Sequence, residues 1–200
     1  MGVAIFYGDA WSGLRPALER MGFVWKPLDV PISAKFLSEI GILVIPGCGQ
    51  AGDKQFTKEE VELIREFVKA GGGLLCAAQA WSWVYKEYGN KPIELFPINA
   101  IGREMGFSIT GKNIGRPDSA TAEKELFGLI TNWNVGDWWP SQVQPLKDDV
   151  ITILRDSTGR SVAVSGEVGR GRFVVAGHEG LFEYVPEAFK AVLSLLMPRQ

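Results

Sequence analysis

The sequence predicts a doubly wound α/β domain on a mostly parallel sheet, and three observations predict it. From Val3 to Ala78, apolar β-forming runs alternate with helical patterns across short links, the order that builds parallel sheets. Two of the runs, Ile42 to Gly47 and Leu74 to Ala78, are apolar along their whole length, so their sheet must be covered on both faces. With 200 residues and 46% hydrophobic content, the chain can bury a sizeable core without metals or disulfides.

Taken in order, Val3 to Tyr7 is the first strand. "GDAWSG" turns the chain into a helix over Leu14 to Met21, Phe23 to Leu28 is a second strand, and Ala34 to Ile40 is a short helix. After the third strand, Thr57 caps a helix and Glu60, three residues on, completes a capping box. Val61, Ile64, Phe67 and Val68 form that helix's apolar stripe before Gly71 to Gly73 end it and the fourth strand begins. Beyond Trp81 the pattern weakens to a helical turn or two, a crossing broken by proline, and a helix near Asn99 to Met105. Residues 111–144 read as an irregular excursion over an edge or mouth of the sheet, with one helix at Ala122 to Ile130. Strands return at Val150 to Arg155, Ser161 to Gly166 and Arg172 to Ala176. "DSTG" and "VGRG" separate them, which suits antiparallel hairpins near the C-terminus. Pro186 to Leu196 closes the chain as an amphipathic helix, and residues 1–200 read as one domain.

A net charge of −2, with no run of five like charges, offers no electrostatic footprint for nucleic acid or an anionic membrane. The apolar runs fall short of the roughly 20 residues a membrane helix needs, and no basic region precedes the first strand as in a signal peptide. Phe6 stands where a myristoylation motif requires Ser or Thr. Cys48 and Cys76 cannot form a disulfide framework, so a cytoplasmic location is expected, with a single bridge between them left open. One histidine and scattered acids give no metal-ligand spacing, and no cofactor is expected.

In open parallel sheets, sites form at the carboxyl ends of the strands. Four stretches meet there: "GDAWSG", "PGCGQAGD", "AAQAWSW" and "GHEGLFEY". His178 is the side chain among them poised near neutral pH, and it reads either as a structural residue or as a general base. Glu179 can orient it only if the chain turns at Gly177 or Gly180. Cys48, between two glycines, is a candidate thiol nucleophile or simply a small hydrophobe. Cys76 lies in mid-strand, facing packed side chains. "GRGR" at Gly169 to Arg172 fits a hairpin turn better than a phosphate loop. Seven tryptophans are the other anomaly. Most are core candidates, while Trp11, Trp81, Trp83, Trp133, Trp138 and Trp139 include some that could stack on sugar rings beside Asp9, Asn134 and Asp137.

"KAGGGLLCAAQAWSW", "FPINAIGREMGFSIT" and "GRGRFVVAGHEGLF" resemble blocks of the class I glutamine amidotransferase-like domain of TRP-channel-associated factors. The resemblance implies a flavodoxin-like three-layer sandwich, and it implies a strained turn after the fourth strand where catalytic relatives carry cysteine. Here Ala78, or Gln79 in the neighbouring register, holds that place, and neither can attack a carbonyl. The superfamily's glutamate two residues after histidine is replaced by Gly180. "PGCG" is similar to the loop that helps form the oxyanion site.

The expectation is therefore a non-catalytic domain. It would bind a small polar ligand such as a carbohydrate, or a protein partner, in a pocket of Asp9, Trp11, Gly47, Cys48, Gln79, Trp81 and His178. The alternatives are a small hydrolase of a glycan, amide or ester, using His178 with Cys48 or an activated water, and a structural or homo-oligomer-forming module. The channel role of the larger family members is not expected to transfer with the fold.

Overall fold

A computed structural model describes residues 3–6, 14–27, 31–47, 55–85, 89–115, 120–122, 132–133, 139–180 and 186–198. The parallel part of the sheet follows the expected order: β1 (Val3–Phe6), α1 (Leu14–Arg20), β2 (Val24–Pro27), α2 (Ala34–Leu37), β3 (Ile42–Pro46), α3 (Lys58–Lys69), β4 (Gly73–Ala77). The short helix α4 (Trp81–Val84) and α5 (Pro97–Met105) follow, then β5 (Phe107–Asn113), β6 (Ala120–Ala122), β7 (Asn132–Trp133) and β8 (Ser141–Pro145). β9 (Ile151–Asp156), β10 (Ser161–Val168), β11 (Gly171–Ala176) and α6 (Pro186–Leu196) complete the described chain.

Nine strands form one sheet in the order β2-β1-β3-β4-β11-β10-β9-β6-β7. Strands β2, β1, β3, β4 and β11 run parallel, and from β11 outward each pairing is antiparallel. β11 is therefore the seam. It arrives as the second arm of a hairpin from β10 yet lies parallel to β4, register Val174 to Leu75.

Alternation along the inner strands sorts the core into two layers. Ile42, Val44, Leu75, Ala77, Val174 and Ala176 face Leu18 of α1 and Phe189, Val192 and Leu193 of α6. Their neighbours Leu43, Ile45, Leu74, Cys76, Phe173 and Val175 face Leu37, Ile64, Val68 and Ile101 of α2, α3 and α5. A period of two on a sheet covered on both faces is what a continuous apolar run encodes. Each fully buried Val, Leu, Ile or Phe among them contributes about 1.5–3 kcal/mol.

The capping box forms as expected: Thr57 Oγ1 accepts from Glu60 N at 3.1 Å and Glu60 Oε2 accepts from Thr57 N at 2.9 Å. Glu60 does a second job, its Oε1 accepting from Ile32 N at 3.0 Å, which ties α3 to the start of α2. Asn99 of α5 clasps β5 in the same way, donating to Ile109 O and accepting from Ile109 N, both at 2.8 Å.

The excursion over 111–144 is more regular than its composition implies. β5 continues through Asn113, β6 and β7 extend the main sheet, and β8 pairs antiparallel with β5. Ala122, expected to begin a helix, instead ends strand β6, because pairing with Leu154 overrides the local propensity. The rest of that expected helix, residues 123–130, lies outside the described residues.

Candidate functional site

The carboxyl ends of β3, β4 and β11 come together through backbone bonds. Gly47 N donates to Ala77 O at 2.7 Å, with Gly47 at φ 56°, and Ala78 N donates to Ala176 O at 3.1 Å. Gly47, Gln79, Trp81, His178 and Glu179 are thus placed at one end of the sheet. Asp9, Trp11 and Cys48 lie outside the described residues, as do Asn134, Asp137 and Trp138.

The turn after β4 lacks the strain a nucleophile's elbow requires. Among the described residues the sole non-glycine residue with positive φ is Asn90, so Ala78 and Gln79 both have ordinary backbone geometry. Ala78 is completely buried, and the chain passes directly into α4, Ser82 Oγ donating to Gln79 O at 2.8 Å. The strained apex implied by the resemblance is therefore not formed. Without a reactive atom to present, nothing in this turn offsets the cost of holding a residue in the left-handed region.

The polar groups of Gln79 and Trp81 are engaged by a segment that sequence reasoning did not bring to this place. Gln79 Nε2 donates to Trp139 O at 3.2 Å, and Trp81 Nε1 donates to the same carbonyl. Trp81 N donates to the buried Ser141 Oγ at 2.9 Å, and Ser141 N donates to Gly177 O at 2.9 Å. A Cβ on Gly177 would fall 1.8 Å from Ser141 O, so only glycine lets the strand β11 exit and this strap approach so closely. The glycine in "AGHEG" was the available signal, legible as a turn but not as a contact. Outside the strap, Tyr85 stacks edge-on against Trp81 with ring centroids 5.5 Å apart. Tyr85 is 45% exposed and Trp139 41%, leaving aromatic surface at the rim.

His178 is turned inward, 7% exposed, where burial lowers its pKa to about 4. At neutral pH the ring is uncharged. Gly180 N donates to Nδ1 at 2.7 Å, so the ring proton resides on Nε2 and the bare nitrogen is already occupied. The bend at Gly177 does bring Glu179 alongside, as a turn there was expected to, but Glu179 Oε2 stands 3.6 Å from Nδ1, beyond hydrogen-bond range. A neutral imidazole that offers a donor and keeps its acceptor inside its own turn is poorly arranged to take a proton from a nucleophile.

The "GRGR" hairpin has a clear assignment at the opposite end of the sheet. Arg170 Nη2 donates to Ala70 O at 2.7 Å and Arg172 Nη1 to Leu195 O at 3.1 Å, so the pair meets the terminal carbonyls of α3 and α6. A groove of ≈ 680 Å³ opens beside them, lined by Ile40, Phe67, Gly72 and Arg170. No group of three or more potential metal ligands occurs among the described residues, and none of their helices is long and apolar enough to cross a membrane.

A family model described as "TRPM8, N-terminal domain" matches residues 52–124. That stretch contains the Lys69 to Trp83 and Phe96 to Thr110 blocks and excludes the one at Gly169 to Phe182. The chain is similar to the TRPM8 channel-associated factors. Factor 1 of Homo sapiens is 31% identical over 87 residues, 44% of this chain and 9% of that protein. The homolog of Danio rerio is 38% identical over 134 residues, 57% of this chain and 15% of its own length. The matches thus span a small fraction of these relatives. Among solved structures, the mmIFT52 N-terminal domain superposes with a TM-score of 0.74 over 97% of this chain and 98% of its own, at 11% identity, a likeness of fold alone.

Proposed function

We propose that this chain is a non-catalytic, amidotransferase-like binding domain whose strand-end rim docks a protein partner. The observation that carries the reading is the turn after β4. Ala78, or Gln79 in the neighbouring register, stands where the resemblance places a cysteine in catalytic relatives; Ala78 is buried, both have unstrained backbone, and Gln79 Nε2 donates to Trp139 O. His178, neutral and accepting from Gly180 N, adds no base. What remains for solvent is aromatic area at Trp81, Tyr85 and Trp139, the residue types enriched where proteins meet proteins.

The relatives' name says that they associate with the TRPM8 channel, which supports a protein over a free sugar as the occupant. A small polar ligand is the second reading, favoured by the same ring faces and weakened by the commitment of Gln79. The rim also serves a second copy of the chain in the oligomer-forming alternative, and the hydrolase alternative uses His178 with Cys48 or an activated water.

Titrating the immobilised chain with detergent-solubilised TRPM8 tests the partner reading. Saturable binding is expected, weakened at least tenfold by the Trp81→Ala, Tyr85→Ala double variant. The non-catalytic part is tested with 4-nitrophenyl acetate. An acyl adduct on the chain, or turnover that His178→Asn abolishes, overturns it.

A further inference from the structure

The groove of ≈ 680 Å³ lies at the amino ends of β4 and β11, at the far end of the sheet from the aromatic rim. Its volume falls in the range of roughly 300–1,000 Å³ that small-molecule sites occupy. Leu37, Ile40, Phe67 and Pro198 give it apolar walls, and among its described lining residues Arg170 alone is charged. The hydroxyl of Ser38, the other polar side chain of the lining, donates to Lys35 O at 2.6 Å and so adds no donor.

The end of a helix ordinarily disfavours an anion, because its last carbonyls carry the negative end of the dipole. At the end of α3 those carbonyls are occupied. Gly72 N donates to Phe67 O at 3.0 Å, Gly71 N to Val68 O at 2.8 Å, Arg170 N to Lys69 O at 3.1 Å and Arg170 Nη2 to Ala70 O at 2.7 Å. That last bond uses one of the five N–H groups of the guanidinium. Arg160 and Arg172 pair with Asp156 and Glu167, whereas no carboxylate pairs with Arg170 among the described residues. Arg170 is thus anchored at its backbone and at its tip, with further donors left over beside an apolar groove.

We propose that this groove binds a small monocarboxylate with an apolar body, its carboxylate on the Arg170 guanidinium and its hydrocarbon against Phe67, Ile40 and Leu37. Charge complementarity selects the occupant. One cation without a carboxylate balances one negative charge, and its planar fork matches two carboxylate oxygens. The lining offers no side-chain donor for a second polar group, so the rest of the molecule is apolar. The site is separate from the rim, and its failure leaves the partner-docking reading untouched.

The probe is octanoate, titrated into the full chain with backbone amide NMR as the readout. Saturable shifts are expected at Gly71, Gly72 and Gly169, and none at Gln79 or Gly177 of the opposite end. Octan-1-ol, of equal length and uncharged, should bind at least tenfold more weakly. Arg170→Met, which keeps the stem and loses the fork, should weaken octanoate roughly tenfold or more. Absence of saturable shifts overturns the proposal, as do shifts confined to the rim. So does octan-1-ol binding as tightly as octanoate, or an affinity that Arg170→Met leaves unchanged. If Arg170→Met fails to fold, the comparison with octan-1-ol and the map of shifts on the unaltered chain decide the matter.

Discussion

The two ends of strands β4 and β11 are closed by different chemistry. At the amino ends, two arginines of one hairpin reach the last carbonyls of α3 and α6, a charged solution placed where helix dipoles favour cations. At the carboxyl ends, neutral donors of Gln79 and Trp81 meet a strap, Trp139 to Ser141, from a distant part of the chain, and a buried neutral histidine lies beneath. The amino end is an electrostatic cap on the fold. The carboxyl end is a set of uncharged hydrogen bonds to one short segment.

Glycine replacements give the largest effects. Gly177→Ala puts a methyl group 1.8 Å from Ser141 O, and Gly171→Ala puts one 1.9 Å from Val68 O. Backbone cannot yield cheaply, so each should lower unfolding free energy by about 3 kcal/mol or more in urea melts. Gly177→Ala should in addition speed exchange of the Ser141 amide in the native state, while Gly171→Ala should leave that amide alone. Equal effects on it would erase the distinction between the ends.

Acid comes next. His178 has its pKa lowered from 6.5 to about 4, so the unfolded chain binds the extra proton first. The stabilisation is complete above about pH 6.5 and disappears as pH falls toward 4, a loss on the order of 3 kcal/mol. His178→Gln should flatten that part of the stability profile. Arg170→Met, at the other end of the sheet, should leave the shape of that profile unchanged.

Removing caps has smaller consequences. Thr57→Ala should cost about 1 kcal/mol in the same melts by breaking the capping box. Arg172→Met, which loses both Leu195 O and Glu167, should cost about 0.3–1 kcal/mol, less at high salt. A salt-insensitive loss would mean that the packing of its stem, not its charge, matters.

Much of the parallel half was legible because its signals are local. Continuous apolar runs, a Thr-x-x-Glu box and glycines at helix ends act within a few residues, and β3, α3, β4 and α6 lie where those signals put them. The region over 111–144 was less legible: β6 and β8 exist because β9 and β5 offer them ladders, and their own composition carries little preference. At the site, His178, Gln79 and Trp81 were named from the sequence and do gather at one end of the sheet. Ser141 and the Trp139 carbonyl were not, since a serine opening a strand and a backbone oxygen bear no mark of their use. The inward turn of His178 was equally hidden, because burial depends on the strands that surround it.

By itself the sequence determined that a parallel sheet would be covered on both faces, that α3 would be boxed at its start, and that Ala78 and Gln79 would follow β4. Those properties reside in residue identity and in periods of two and 3.6. Only the tertiary structure decided that the strand-end crevice would be filled by Trp139 to Ser141. That contact joins residues 60 positions apart, and its geometry is set by the meeting of β4, β11 and β8 rather than by any neighbour in the chain.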